Sequence, residues 1–200
     1  MLSLQPVLLI ALGLGSNCAS LEDLRNALNT SDSIYLRMRS PDRAYSKLWR
    51  CVNFKKYKEN DGDRVYLDLR YKLVMNNDVQ ISGINWHHKY FIARLEHGTG
   101  AGYNARMVVS SVVDITRQSV YTLEYWNEEN KCFVLSFIGS NGRRKCEMYE
   151  WSETVHTRAD LKPSGNIYRS CEQEFYTLCG PHNEIIYRYQ GCSNATYIQG

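Results

Sequence analysis

The chain has 200 residues, of which 44% are hydrophobic, and a formal net charge of +3. This length is enough for one domain with its own core, and the small, scattered positive charge does not indicate nucleic-acid binding. The unusual count is that of tyrosine, with 15 residues. Tyrosine is frequent in strands and at binding surfaces because it combines a large ring with a polar tip.

The first 20 residues predict a signal peptide. Val7 to Gly15 is an apolar run that is too short to span a bilayer. Cys18 and Ser20 supply the small residues for cleavage after Ser20, and cleavage after Ala19 is the alternative. A buried N-terminal helix is the competing interpretation of the run. No later apolar run is long enough for a membrane anchor, so we expect residues 21–200 to be a single secreted domain without membrane contact.

Helical spacing appears at both ends of this domain. Leu21, Leu24 and Leu28 predict a short N-terminal helix. Near the other end, the recurrence of Cys171 and Phe175 predicts a helix at about 168–178 that packs outside the rest of the fold.

Strand patterns dominate between these helices. Ile34, Leu36 and Met38 alternate with polar positions, and so do the apolar residues of 65–73, which predicts half-buried strands. The other strands are predicted at 48–57, 80–95, 104–114, 117–126, 130–138 and 144–152.

The predicted strands are joined by short polar loops that contain Gly or Asn, which is typical of an antiparallel meander. Closure into a barrel removes the exposed edges of such a sheet. We therefore predict an all-β fold, an eight-stranded antiparallel barrel with a short N-terminal helix and with a C-terminal helix packed outside. A barrel of this size has an interior that can hold one small ligand.

Seven cysteines become six when the leader and Cys18 are removed. An even set in a secreted chain predicts a disulfide framework, although spacing alone leaves many pairings open. The six are Cys51, Cys132, Cys146, Cys171, Cys179 and Cys192. Secretion also makes the sequons at Asn29 and Asn194 candidate glycosylation sites.

The direction of Cys146 predicts the direction of its neighbours. If Cys146 is bonded to a cysteine of the outer helix, its side chain points out of the barrel, and Glu147, Tyr149 and Trp151 point inward. A cationic ligand would satisfy a buried carboxylate flanked by aromatic rings. The other interpretation places Glu147 near the barrel mouth, paired with an arginine or water. The same reasoning for Cys132 predicts that Phe133, Leu135 and Phe137 point inward.

The segments 131–135 and 146–151, the Cys171 to Cys179 spacing and the final Cys192 resemble the tick salivary lipocalins, the histamine-binding-protein family. The resemblance covers residues 117–192 well and the rest of the mature chain loosely. It implies a lipocalin barrel with flanking helices. It also implies secretion into the bite site, where members sequester host mediators such as histamine, serotonin, leukotrienes or sterols. The pairing that it implies is Cys51–Cys192, Cys132–Cys171 and Cys146–Cys179.

The resemblance also implies a ligand site. In amine-binding members an acidic residue, followed two positions later by an aromatic one, touches the amine, and Glu147 and Tyr149 match that pattern. A second acidic residue often follows the cysteine of the preceding strand, where this chain has Phe133.

Three functional hypotheses follow. The first is a scavenger of a biogenic amine, histamine or serotonin, with Glu147 as counter-charge and Tyr149 and Trp151 as ring walls. The second is a scavenger of a hydrophobic mediator such as a leukotriene, fatty acid or sterol, because Phe133 makes that end of the cavity more apolar. The third is an interaction protein that blocks a host protein through its loops.

The remaining motifs do not indicate catalysis. His87 and His88 would face opposite sides of a strand and cannot both ligate one metal ion without distortion. The glycines of 98–102 lead into a strand-like segment, which favours a plain turn over a phosphate cradle. We therefore expect a monomeric binding protein that is not an enzyme and uses no cofactor or metal.

Overall fold

The computed structural model describes residues 18–41, 49–73, 86–99, 103–158, 170–187 and 192. The helices are α1 (Leu21–Ala27), α2 (Ser152–Arg158) and α3 (Ser170–Cys179). The strands are β1 (Ile34–Arg39), β2 (Trp49–Asp61), β3 (Arg64–Leu73), β4 (His87–Glu96), β5 (Arg106–Ser111), β6 (Asp114–Asn127), β7 (Cys132–Ile138), β8 (Arg144–Trp151) and β9 (Glu184–Ile185).

Strands β1 to β8 form a closed antiparallel barrel. Each strand pairs with the next along the chain, and β8 pairs with β1. Ile34 of β1 lies opposite Trp151 on one side and Phe54 on the other, so the sheet closes on itself. The short β9 adds to β1 beyond that point, where Met38 lies opposite Ile185. The predicted eight-stranded barrel is therefore confirmed.

Some boundaries differ from the prediction. The strand predicted at 80–95 begins at His87, and residues 80–85 lie outside the described residues. Helix α3 begins at Ser170, close to the predicted start at about 168. Helix α2 was not predicted, because its only apolar residue is Val155 and a helical apolar stripe is absent.

Helix α1 is packed into one end of the barrel. A reciprocal capping box between Ser20 and Asp23 starts the helix. Its apolar side is buried, with Leu24 and Ala27 at 0% exposure. The indole Nε1 of Trp151 donates a hydrogen bond of 2.9 Å to the carbonyl oxygen of Ala27. These contacts close this end of the barrel.

Helix α3 lies on the outer face of β7 and β8. The disulfides Cys132–Cys171 and Cys146–Cys179 attach it to these two strands, and Cys51–Cys192 links β2 to the C-terminal segment. This is the pairing that the family resemblance implies. The ring of Phe175 is fully buried beneath the helix, against a small outer core that includes Met148 and Val134. The barrel wall thus separates an interior core from this outer one.

Candidate functional site

Side-chain alternation places Glu147 inside the barrel. Leu135 of β7 lies opposite both Leu123 of β6 and Glu147 of β8, and the two leucines belong to the interior core. Cys146, the preceding residue, is bonded to α3 on the outside. The inward direction predicted for the residue after Cys146 is therefore what the structure shows.

The barrel encloses a cavity of about 320 Å³. This volume is within the range of about 300–1,000 Å³ typical of small-molecule sites. Its walls are mainly aliphatic and aromatic, and Lys89 and Arg117 are the charged residues among the described ones that line it. The lining residues are Trp49, Phe54, Leu67, Leu69, Lys89, Phe91, Met107, Val109, Ser111, Arg117, Ser119, Tyr121 and Tyr149.

The two cations lie toward the open end. Lys89 is exposed and lies opposite Leu69, and its ammonium group is 4.6 Å from the ring centroid of Trp49 and 5.7 Å from that of Tyr71. Arg117 is 91% exposed and pairs with Asp114 at 3.4 Å, a kind of surface contact that contributes little energy. Both groups therefore remain accessible to a ligand that enters the cavity.

Sequence reasoning missed both cations. Lys89 precedes the interior residues Phe91, Ala93 and Leu95 at alternating positions, and Arg117 precedes Tyr121 in the same way. The inward direction of both cations could have been predicted by extending the alternation of inward and outward side chains to the ends of the strands.

Tyr149 and Glu147 form a buried hydrogen-bonded pair. The hydroxyl of Tyr149 donates to Oε2 of Glu147 at 2.7 Å, and the two residues are only 8% and 2% exposed. Burial, followed by the charge of Glu147, raises the pKa of Tyr149 well above its usual value. The phenol therefore stays protonated and serves as a donor to the carboxylate.

The four predicted site residues are not gathered around the cavity. Tyr149 lines it, and Phe133 stacks against the Tyr149 ring with 5.2 Å between centroids. Glu147 contacts Tyr149 and is not among the lining residues. Trp151 lies at the closed end, 5.9 Å from the ring of Trp126.

A larger cleft of about 550 Å³ lies on the outside of the barrel. Glu124 and Ser136, which line it, alternate with the interior residues Leu123 and Leu135. The Glu124 carboxylate accepts hydrogen bonds from Asn104 Nδ2, at 3.0 Å, and from Ser136 and Arg144. The acceptor capacity of this carboxylate is thus engaged by the protein.

The histidine pair is divided between the two faces of β4. His87 stacks on the interior Tyr71, with 5.3 Å between centroids, and Nδ1 of His88 lies 3.0 Å from the Asp68 carboxylate. No cluster of three or more metal-ligating side chains occurs among the described residues. None of the helices in the described part of the chain is long and apolar enough to cross a membrane.

One of the two sequons lies in the described part of the chain. Asn29 is exposed directly after α1, where a glycan would have room. Asn194 lies outside the described residues.

A closed eight-stranded antiparallel barrel with an interior cavity and a helix outside defines a lipocalin. The family model described as tick histamine binding protein matches residues 16–194. The chain therefore belongs to the tick histamine-binding protein family. Japanin from Rhipicephalus appendiculatus, in a crystal form bound to cholesterol, has a TM-score of 0.56 and 15% identity over 81% of this chain and 95% of its own. That likeness shows the fold alone. No curated protein sequence gives a significant match.

Proposed function

We propose that this protein is a secreted salivary scavenger that sequesters a small hydrophobic mediator with an anionic head group, such as a fatty acid or a leukotriene. The observation that carries the proposal is the pairing of an apolar cavity with Lys89 and Arg117 at its open end. Function requires affinity and abundance, and no chemical step. The three disulfides support secretion, because such bonds persist in oxidising compartments.

An apolar tail fits the wall of the cavity. Phe54, Leu67, Phe91, Met107 and Val109 present hydrophobic surface to the space. Each square ångström of apolar surface that leaves water contributes about 25 cal/mol. Burial of the tail therefore supplies most of the affinity.

A carboxylate head fits the cations. Hydrogen bonds from Lys89 and Arg117 to a carboxylate would be charge-assisted, and such bonds are roughly twice as strong as neutral ones. An ammonium head would instead meet two like charges, which disfavours it. Glu147, the group expected to attract an amine, is almost fully buried and already accepts the Tyr149 hydroxyl.

The proposal is tested by calorimetric titration of delipidated protein with arachidonic acid, its methyl ester, cholesterol and histamine. We expect the acid to bind, and the uncharged ester to bind about 10–100-fold more weakly because it loses the charge-assisted bonds. Equal affinity for acid and ester would assign the site to neutral lipids. Binding of histamine alone would contradict the proposal.

A biogenic amine is the second candidate, supported by Glu147. A carboxylate inside the barrel within 2.7 Å of a tyrosine hydroxyl is the arrangement expected of an amine site, once the hydroxyl moves away. Glu147→Gln should then abolish histamine or serotonin binding and leave the fold intact. Under the leading proposal, the same variant keeps its affinity for arachidonic acid, because Glu147 does not line the cavity.

A further inference from the structure

Ala19, which precedes α1, is buried and hydrogen-bonded to the barrel. The backbone N–H of Ala19 donates to Oδ1 of Asn104 at 2.9 Å, and its carbonyl oxygen accepts from the N–H of Ala105 at 2.8 Å. Ala19 is only 7% exposed and belongs to the interior core cluster. A mature chain without this residue would leave the side chain of Asn104 and the N–H of Ala105 without these bonds.

Ser20 is equally integrated. Its hydroxyl accepts from the N–H of Asp23 at 3.0 Å, and its own N–H donates to the Asp23 carboxylate at 2.8 Å. This box satisfies amide groups that the first turn of α1 cannot pair. Cleavage after Ser20 would remove both the cap and the Ala19 contacts.

Cys18 is the residue immediately before Ala19. It belongs to none of the three disulfides. Signal peptidase requires small residues one and three positions before the new terminus, and Cys18 and Ser16 provide them before Ala19. Cleavage after Ala19 would instead place the larger Asn17 three positions before the new terminus.

We infer that the leader is removed by hydrolysis of the peptide bond between Cys18 and Ala19. Water adds to the Cys18 carbonyl carbon, the C–N bond breaks, and the products are a Cys18 carboxylate and an Ala19 α-ammonium group. The inference rests on the secretion that is part of the proposed function. The mature protein would then begin at Ala19, two residues before the predicted Leu21.

The α-ammonium group of Ala19 is compatible with the polar side chains around it. The nitrogen of Ala19 remains a donor after cleavage, so its bond to Asn104 survives. Asn104 in turn donates to Glu124 at 3.0 Å, whose negative charge favours an ammonium group nearby. The new terminus would thus remain linked through Asn104 to Glu124 on the outer wall.

Secretion of the full chain from insect cells, followed by N-terminal sequencing and intact mass after deglycosylation, tests the inference. We expect Ala19 as the first residue. A chain that begins with Ser20 or Leu21 would overturn the inference and leave the proposed function standing. A secreted chain that retains Met1 would contradict both the inference and the predicted leader.

A second measurement tests the structural reason. Chains that begin with Ala19, Ser20 or Leu21 are secreted behind a foreign leader, and the Leu21 chain should melt about 2–6 °C below the Ala19 chain. Asn104→Ala should reduce the difference between the Ala19 and Ser20 chains, because it removes the bond from the Ala19 nitrogen but leaves the Ala105 bond and the burial of Ala19. The control Asn60→Ala, at an exposed position of β2, should preserve it. Equal melting temperatures for all three chains would overturn the inference.

Discussion

The ammonium group of Lys89 lies 4.6 Å from the centre of the Trp49 ring, and both residues line the barrel cavity. The ring faces the positive charge, and under the proposed function this charge would meet the head group of an entering ligand. This relationship gives the cavity an electrostatic direction, with an apolar interior and a cationic mouth.

We expect Lys89→Met to lower the affinity for arachidonic acid about 10–100-fold, because a charge-assisted hydrogen bond contributes about 1.5–3 kcal/mol. Titration calorimetry measures the change. Lys58→Met is the matched control, since Lys58 lies at the same 4.6 Å from the Tyr66 ring without lining the cavity. Equal losses of affinity for the two variants would show that the net charge of the protein, and not a cation at the mouth of the cavity, determines binding.

Tyr149→Phe should destabilise the fold by about 1–3 kcal/mol. The variant keeps the ring that stacks on Phe133 but removes the donor to a carboxylate that is 2% exposed. Urea unfolding measures the free energy. Tyr57→Phe, at a ring that is 43% exposed, should change stability by less than about 0.5 kcal/mol. A stable Tyr149→Phe would mean that Glu147 does not depend on this hydroxyl.

The buried phenol also predicts an alkaline limit of stability. Below about pH 10 both folded and unfolded chains keep the Tyr149 proton. Above it the unfolded chain releases the proton, while the raised pKa keeps it on the folded one. The free energy of unfolding therefore falls by up to about 1.4 kcal/mol per pH unit.

This limit is measured by urea unfolding of wild type and Tyr149→Phe between pH 8 and pH 11. The stability difference between the two should be constant up to about pH 10 and narrow above it. A constant Tyr149→Phe difference across the whole range would argue against the raised pKa.

The outer core predicts a variant that separates stability from binding. Phe175→Ala removes a ring with 0% exposure between α3 and the barrel, which should cost about 3–5 kcal/mol. The affinity for ligand should change less than about twofold at a temperature where the variant is folded, because the cavity lies on the other side of the sheet. Parallel losses of stability and affinity would indicate that α3 shapes the cavity.

The face on which each residue lies was accessible from the sequence, because a bonded cysteine fixes the alternation of its strand. Cys146 correctly placed Glu147 and Tyr149 inside the barrel. The depth of each residue along the barrel axis could not be predicted from the sequence. Trp151 shares the face of Tyr149 but lies at the closed end beside α1, since depth depends on the stagger between neighbouring strands.

The charge of the cavity was also missed. Lys89 stands beside two histidines in a polar segment, so its inward direction follows only from the β3–β4 register that sets it opposite Leu69. One partner of Glu147 is Tyr149, two positions further along the same strand. Sequence predicted that the two residues share a face, but the direction of the hydroxyl depends on the packing of the ring between Phe133 and Phe54.

The covalent links on the outside have an evolutionary consequence. Cys132 and Cys146 fasten α3 from the outer face, while the alternate positions of the same strands supply interior side chains. Substitutions at the interior positions can therefore alter the lining of the cavity without changing the disulfides that hold α3 to the barrel. The covalent scaffold would persist through such changes, while each substitution at a packed interior position carries its own cost in folding free energy.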